Sequence, residues 1–390
     1  MSGANGSSLR GSVAVVGVGL TAFGDLPGRS ARENLAEAAF RALADAGIDK
    51  NEVDGLFTSN FPDTFPCLHA AEYLGLQPRV MDDSNIGGSV YVSQLQHAAA
   101  AINAGVCQVA LIAMGSNTRS KLKQSGVIDA PREHFAYSDE YKPKAPMNAY
   151  ALAAARHMHE YGTTREHLAE VAVAARAWAA LNPRAMRRSP LTIDDVLASK
   201  MVCDPLSALD CCLIADAGAA VVLVSAERAK QLAQKPVYLL GVGVAMTHAG
   251  IAQMPDLTTT AAAQSSKIAY AMAGLSPADV DVVEVYDAFT INTILFLEDL
   301  GFCKKGEGGE FVSKGNIAPG GSLPVNTNGG GLSCVHPGMY GLMLIAECVE
   351  QLRGTTGERQ IKNANVALCN GNGGHLSSEV TAIFGTEDTL

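Results

Sequence analysis

Short apolar blocks alternate along this chain with longer stretches in which alanine and other apolar residues recur at helical spacing. Residues 13–18 are mostly β-branched and run into Gly-Leu-Thr-Ala-Phe-Gly, which predicts a buried strand and a turn. An Ala-rich amphipathic stretch follows over 30–46, opened by Ser30 with Glu33 three residues on, the spacing of a capping box. A second strand is expected near 55–59. The turn Asn85-Ile86-Gly87-Gly88-Ser89 then leads into a long helix over 90–104, and Gly105 ends it before a strand at 109–113. Strand, glycine turn, helix and strand in that order describe an α/β unit with parallel strands.

From about 115 to 205 the regularity breaks. Helical stretches around 147–161 and 165–181 sit between loops rich in Pro and Arg, and the segment reads as an excursion over the sheet, of the kind a lid makes. A clear strand returns at 221–225. The second half begins again with a strand at 237–244, an Ala-rich helix at 258–273, a strand at 280–285 and a helix at 288–300. A glycine-rich stretch at 326–338 precedes an apolar helix at 340–352, and two strands close the chain at 366–369 and 379–384. The halves share an order of elements with little residue-level repeat, which points to an internal duplication.

Composition narrows the function classes. With 390 residues, 48% of them hydrophobic and 17% charged, the chain can bury a large sheet system. A net charge of −10 without a Lys/Arg run argues against nucleic acid, which is held through clustered cations. Nine cysteines, two of them the adjacent Cys211 and Cys212, do not suit a secreted disulfide framework. A reducing cytoplasm fits them, and no apolar run approaches the ~20 residues of a membrane span. His157, His159 and Glu160 lack the i, i+4 spacing of a helical metal pair, so they read as exposed helix residues and no metal site is expected.

Four stretches carry candidate chemistry. The glycine triplet of Asn326-Thr327-Asn328-Gly329-Gly330-Gly331 exposes backbone amides to a ligand or another chain segment, and His336 follows, fixed before Pro337. Ser89 stands at a helix entrance, where amides and macrodipole favour an anion; alternatively it is a plain N-cap. Tyr286 lies where an apolar strand gives way to a helix, the strand end at which α/β sheets bind ligands, and is either packing or an acid/base. Cys369 ends a strand at the glycine-rich turn Asn370-Gly371-Asn372-Gly373-Gly374.

On the residues Asp287-Ala288-Phe289, 326–331 with His336-Pro337-Gly338, Cys369-Asn370-Gly371, and 204–220, nearly the whole chain resembles the thiolase superfamily. Within it the likeness is to the sterol-carrier-protein type of thiolase and the thiolase-like lipid-transfer proteins, including their aldolase-like subgroup. The resemblance implies an α/β thiolase fold of two βαβαβαββ halves in a five-layered α-β-α-β-α arrangement. The N-terminal half would span 1–230 with the insertion at about 115–205, and the C-terminal half 231–390. It further implies a homodimer, an acyl-CoA thioester as substrate, no covalently bound cofactor, and a small zinc-ribbon and OB-fold partner subunit.

By likeness His336 activates a nucleophile and polarises a thioester carbonyl, Cys369 shuttles a proton, Gly371 contributes an oxyanion-hole amide, and Asn326, Gly330 and Gly331 belong to the substrate loop. Tyr286 occupies the position where sterol-carrier-type members have histidine and ordinary thiolases asparagine. One departure decides the expected chemistry. Counting back from Ala101-Ile102-Asn103-Ala104-Gly105 puts Gly88 where acyl-enzyme-forming members carry cysteine, and one residue of slip puts Ser89 there. Without that thiolate, retro-aldol cleavage of a 3-hydroxyacyl-CoA, as in members that shorten steroid side chains, is expected before thiolysis. An acyltransferase using Ser89 or Cys334, and a silent acyl-CoA or lipid-binding subunit, are the alternatives.

Overall fold

A computed structural model describes residues 9–59, 63–125 and 145–390. Its strands are β1 (Val13–Leu20), β2 (Gly55–Phe57), β3 (Val80–Asp82), β4 (Ala110–Ser116), β5 (Met201–Cys203), β6 (Leu206–Ser207), β7 (Ala217–Ser225), β8 (Val237–Met246), β9 (Val282–Val285), β10 (Val366–Gly373) and β11 (Ser378–Gly385). The short β5 and β6 pair with each other, and the other nine are linked in the order β3-β2-β4-β7-β1-β8-β11-β10-β9.

That order is one pattern written twice. In the first run β2 is parallel to β3 and β4, while β7 lies antiparallel between β4 and β1. In the second, β9 is parallel to β10, and β11 lies antiparallel between β10 and β8. Val325, bridged in parallel to Val283, stands where the first run has β3. The runs pair through β1 and β8 at Ala14↔Tyr238 and Val15↔Val237. The duplication inferred from the order of elements is therefore present as topology.

Helices complete the five layers. Ala31–Ala46 covers β1, β4 and β7 on one outside, and Ala262–Ala273 covers β8 and β11 on the other. Between the runs lie Val90–Asn103 and Gly341–Arg353, which touch each other and strands of both runs. A helix enclosed on several sides must be apolar around most of its circumference, and Tyr91, Leu95, Leu342, Leu344 and Ile345 are all buried. The capping box at Ser30 and Glu33 forms as its spacing predicts, each side chain accepting the other's backbone N–H.

Two expectations are corrected. Cys369 does not end a strand: β10 continues through the glycines to Gly373, each residue paired with β11. The glycines admit the neighbouring turn rather than bend the chain, since a Cβ on Gly373 would collide with the Ile86 carbonyl. His157 is not an exposed helix residue. It is wholly buried, with Nδ1 2.8 Å from Thr163 Oγ1 and Nε2 3.1 Å from both Glu298 carboxylate oxygens. Through it the helix Met147–Tyr161, part of the expected excursion, is fastened to the helix Thr290–Asp299. Residues 126–144 of that excursion lie outside the described residues.

Candidate functional site

The site begins where β9 ends. Tyr286 and Asp287 follow Val285 directly, and the Asn326 side chain fixes the exit: its Oδ1 accepts Val285 N–H at 2.7 Å, while the Asn326 backbone N–H donates to Val283 O at 2.9 Å. Asn326 holds a left-handed φ of 53°, which asparagine tolerates. Buried and so engaged, it anchors backbone rather than facing a ligand.

The glycine triplet has a definite occupant, and it is another part of the chain. The Asp287 carboxylate accepts Gly331 N–H at 2.6 Å and Leu332 N–H at 3.3 Å. Gly330 has φ +64° and lies so close that a Cβ there would collide with Asp287 Oδ2. The triplet is thus shaped around a buried carboxylate, and its last two glycines open a single π turn over Gly330–Cys334. Burial pushes Asp287 up to about 7, against its amide hydrogen bonds, which lower it. Leu213 N–H donates to Gly331 O at 2.9 Å, and Ala215 N–H donates to His336 O at 3.1 Å. The segment after Cys212 therefore holds the loop on its far side.

This clamp delivers His336 to Tyr286. Their ring centroids are 5.4 Å apart, edge to face. Tyr340 completes the group, with its ring stacked on His336 at 5.8 Å and edge-on to Tyr286 at 5.6 Å. The Tyr286 hydroxyl donates to Gly338 O at 3.1 Å and accepts Tyr340 N–H at 3.2 Å, while the Tyr340 hydroxyl donates to Asn328 Oδ1 at 3.1 Å. Burial holds both phenols well above their ordinary value, so both stay protonated. Burial also lowers His336 to about 4, so its imidazole is neutral. Among the described residues its buried Nε2 has no hydrogen-bond partner. A neutral imidazole with one free nitrogen beside a phenol can accept or relay a proton, or donate to an oxyanion.

Gly88 faces the same tyrosine. A Cβ built on it would lie 2.5 Å from both Tyr286 Oη and Cε2, and 2.7 Å from Asn372 O. The tyrosine therefore fills the space that a nucleophilic side chain would need. Ser89 points elsewhere: its hydroxyl lies 2.8 Å from Ser378 Oγ and donates to Ile86 O at 3.2 Å, and it makes no capping bond to its helix. The plain N-cap reading of Ser89 is thus corrected. Gly371 sits in the β10 ladder opposite Val380, with its α-carbon pressed toward Val92 and Ser89.

Cys369 lies within β10, one residue before Asn370, whose carbonyl accepts Tyr286 N–H at 3.0 Å. It is wholly buried, and its thiol acts on the Cys348 thiol of the helix Gly341–Arg353. Four contributors escaped the sequence reading. Tyr340 reads as the start of a helix, and Tyr150 lies in the excursion. Tyr150 accepts Asn372 Nδ2–H at 2.9 Å and stacks on Phe289 at 4.4 Å. Asp287 has its amide partners more than forty residues downstream, and Cys212 signals nothing in sequence beyond a redox compartment. Adjacency to Tyr286 at the end of a strand is the signal by which Asp287 could have been found. No group of three or more His, Cys, Asp or Glu among the described residues could hold a metal ion.

Residues 243–386 match the family described as thiolase C-terminal domain-like. The chain is 36% identical over 388 residues to an acetyl-CoA acetyltransferase of Methanothermobacter thermautotrophicus, covering 95% of this chain and 99% of that protein. It is 33% identical over 387 residues to a steroid side-chain-cleaving aldolase of Thermomonospora curvata, covering 94% and 97%. The solved structure of an Ltp2-ChsH2(DUF35) aldolase superposes with a TM-score of 0.88 at 33% identity, over 98% of this chain and 100% of that one.

Proposed function

We propose, for a chain that belongs to the thiolase superfamily, that it breaks or forms a carbon–carbon bond in a coenzyme A thioester by a retro-aldol step, without an acyl-enzyme. One observation carries this reading: Tyr286 occupies the space in front of Gly88, where a nucleophilic thiol would stand. The name of the aldolase relative, which cleaves steroid side chains, supports it. His336 Nε2 takes the β-hydroxyl proton of a 3-hydroxyacyl-CoA, the Cα–Cβ bond breaks, and a ketone or aldehyde leaves. The Tyr286 hydroxyl, turned from Gly338 O, donates to the thioester enolate.

The test is a branched 3-hydroxyacyl-CoA incubated with the protein. A ketone and a shortened acyl-CoA form with no free CoA consumed; strict dependence on CoA overturns the reading. The acetyltransferase relative favours a second reading, acyl transfer, which predicts a covalent acyl adduct in the intact mass. The proposal includes a homodimer in the cytoplasm and a small zinc-ribbon and OB-fold partner; the two-component name of the similar solved structure supports the presence of a partner subunit. No helix among the described residues is long and apolar enough to cross a membrane. We place the boundary between the halves, 1–230 and 231–390, in the connection from β7 to β8, where the strand order starts again.

A further inference from the structure

We propose that Cys212, rather than Cys369, is the thiol that protonates the α-carbon once the carbon–carbon bond has broken. This rests on the retro-aldol reading and deepens it. Cleavage leaves an enolate whose carbon must receive a proton, and an acid positioned for that transfer accelerates it. Cys369 is poorly placed for the task, mid-strand, without solvent exposure and engaged with Cys348.

Cys212 is placed differently. Its N–H donates to Ala288 O at 2.8 Å, Cys211 bridges Phe289, and Leu213 N–H donates to Gly331 O. The segment thus runs between the end of β9 and the glycine loop, along the wall of the Tyr286–His336 group. Cys212 is partly exposed, whereas Cys334, Cys348 and Cys369 are buried. After burial itself, the Cys212 thiol is the first influence on the Tyr286 hydroxyl, followed by Tyr150, and Asp287 acts on Cys212 in turn. Tyr286, Tyr150 and Asp287 are therefore each coupled electrostatically to this sulfur. Burial first, then the Asp287 carboxylate, push the thiol up, so it carries its proton at neutral pH.

The transfers balance. The substrate hydroxyl proton passes to His336 Nε2, and the Cα–Cβ electron pair becomes the enolate. The Cys212 S–H bond breaks, its proton forms the new Cα–H bond, and its electron pair stays on sulfur. The imidazolium then returns its proton to the thiolate through the Tyr286 hydroxyl, which gives up one proton and takes another. No redox step occurs, and the protein ends as it began.

The full chain, with any subunit that purifies with it, is incubated in deuterium oxide with the branched 3-hydroxyacyl-CoA and separately with the shortened acyl-CoA. Deuterium at the α-carbon is read by mass spectrometry and NMR. The expected result is stereospecific incorporation by the unaltered protein and by Cys369→Ser. Both Cys212→Ala and the near-isosteric Cys212→Ser slow incorporation about 10²-fold or more, with KM little changed and circular dichroism intact. Exchange lost in the Cys212 variants supports the assignment even if cleavage is never seen, an outcome that sinks the retro-aldol reading alone. Exchange at full rate and stereospecificity in both Cys212 variants overturns the assignment and leaves that reading standing. Absence of exchange in the unaltered protein overturns both.

Discussion

Restoring the missing cysteine is the most direct way to test whether Tyr286 has replaced it. In Gly88→Cys the new Cβ would stand 2.5 Å from two Tyr286 atoms and 2.7 Å from the Asn372 carbonyl, where ordinary contacts begin near 3.4 Å. The ring would have to withdraw by about 1 Å, and forced overpacking of this kind costs about 1–3 kcal/mol. Withdrawal also breaks the Tyr286 hydroxyl's bonds to Gly338 O and Tyr340 N–H, each worth about 1 kcal/mol net. A loss of about 3–5 kcal/mol is expected, read from the denaturant midpoint, with no acyl adduct in the intact mass after acetyl-CoA treatment. Adding Tyr286→Asn removes two of the three close contacts and leaves Asn372 O. The cycle of single and double variants should therefore show a coupling of at least about 1 kcal/mol, with partial recovery of stability. Unchanged stability in Gly88→Cys together with stoichiometric acylation would refute the claim that the tyrosine fills this place. So would additive effects.

Three further outcomes follow from the same geometry. Tyr286→Phe keeps the ring and loses the hydroxyl, so steady-state kinetics on a 3-hydroxyacyl-CoA should show kcat reduced about 10²–10⁴-fold with KM nearly constant. Because burial lowers His336 to about 4, below its ordinary 6.5, the folded protein keeps the imidazole neutral while the unfolded chain takes a proton. Stability from this residue is intact above 6.5 and is lost as pH falls toward 4, and the His336 ring signals in NMR should show no titration near 6.5; a titration of that ring near 6.5 would contradict the neutral assignment. Asp287→Ala strips the acceptor from two buried amides, a loss of about 2–6 kcal/mol in chemical denaturation, and should abolish turnover by releasing the loop that carries His336.

How much of this was readable from the residues depended on whether their partners were local. The capping box at Ser30 has both halves within one turn, and it formed as written. The five-layered fold and the duplication also came through, because strand and helix periodicities are local and the family likeness spans the chain. The error at β10 has a different origin. Asn370-Gly371-Asn372-Gly373-Gly374 has turn composition, yet the chain stays extended to Gly373 because the turn containing Ile86, nearly three hundred residues away, leaves no room for a side chain. With the strand extended, Cys369 moves from an end to the interior, where its neighbour is Cys348.

The glycine loop at 326–338 shows the same limit at the centre of the function. Its composition correctly announced a backbone that something approaches closely, and left open whether that was a ligand or the chain itself. The answer is the Asp287 carboxylate, which lies next to Tyr286 in sequence and therefore ties two things together. The strand end that supplies the phenol also supplies the anchor for the loop that supplies the imidazole. A substitution at Asp287 or Gly330 would consequently act on His336 without touching substrate. Tyr286 has the opposite character: its hydroxyl is held by Gly338 and Tyr340, inside the loop and at the head of the following helix, so the loop positions the phenol in return. Fold and reaction separate here in physical terms. The carboxylate clamp explains why the loop keeps its thiolase-like form, and the tyrosine standing against Gly88 explains why that form need not imply thiolase chemistry.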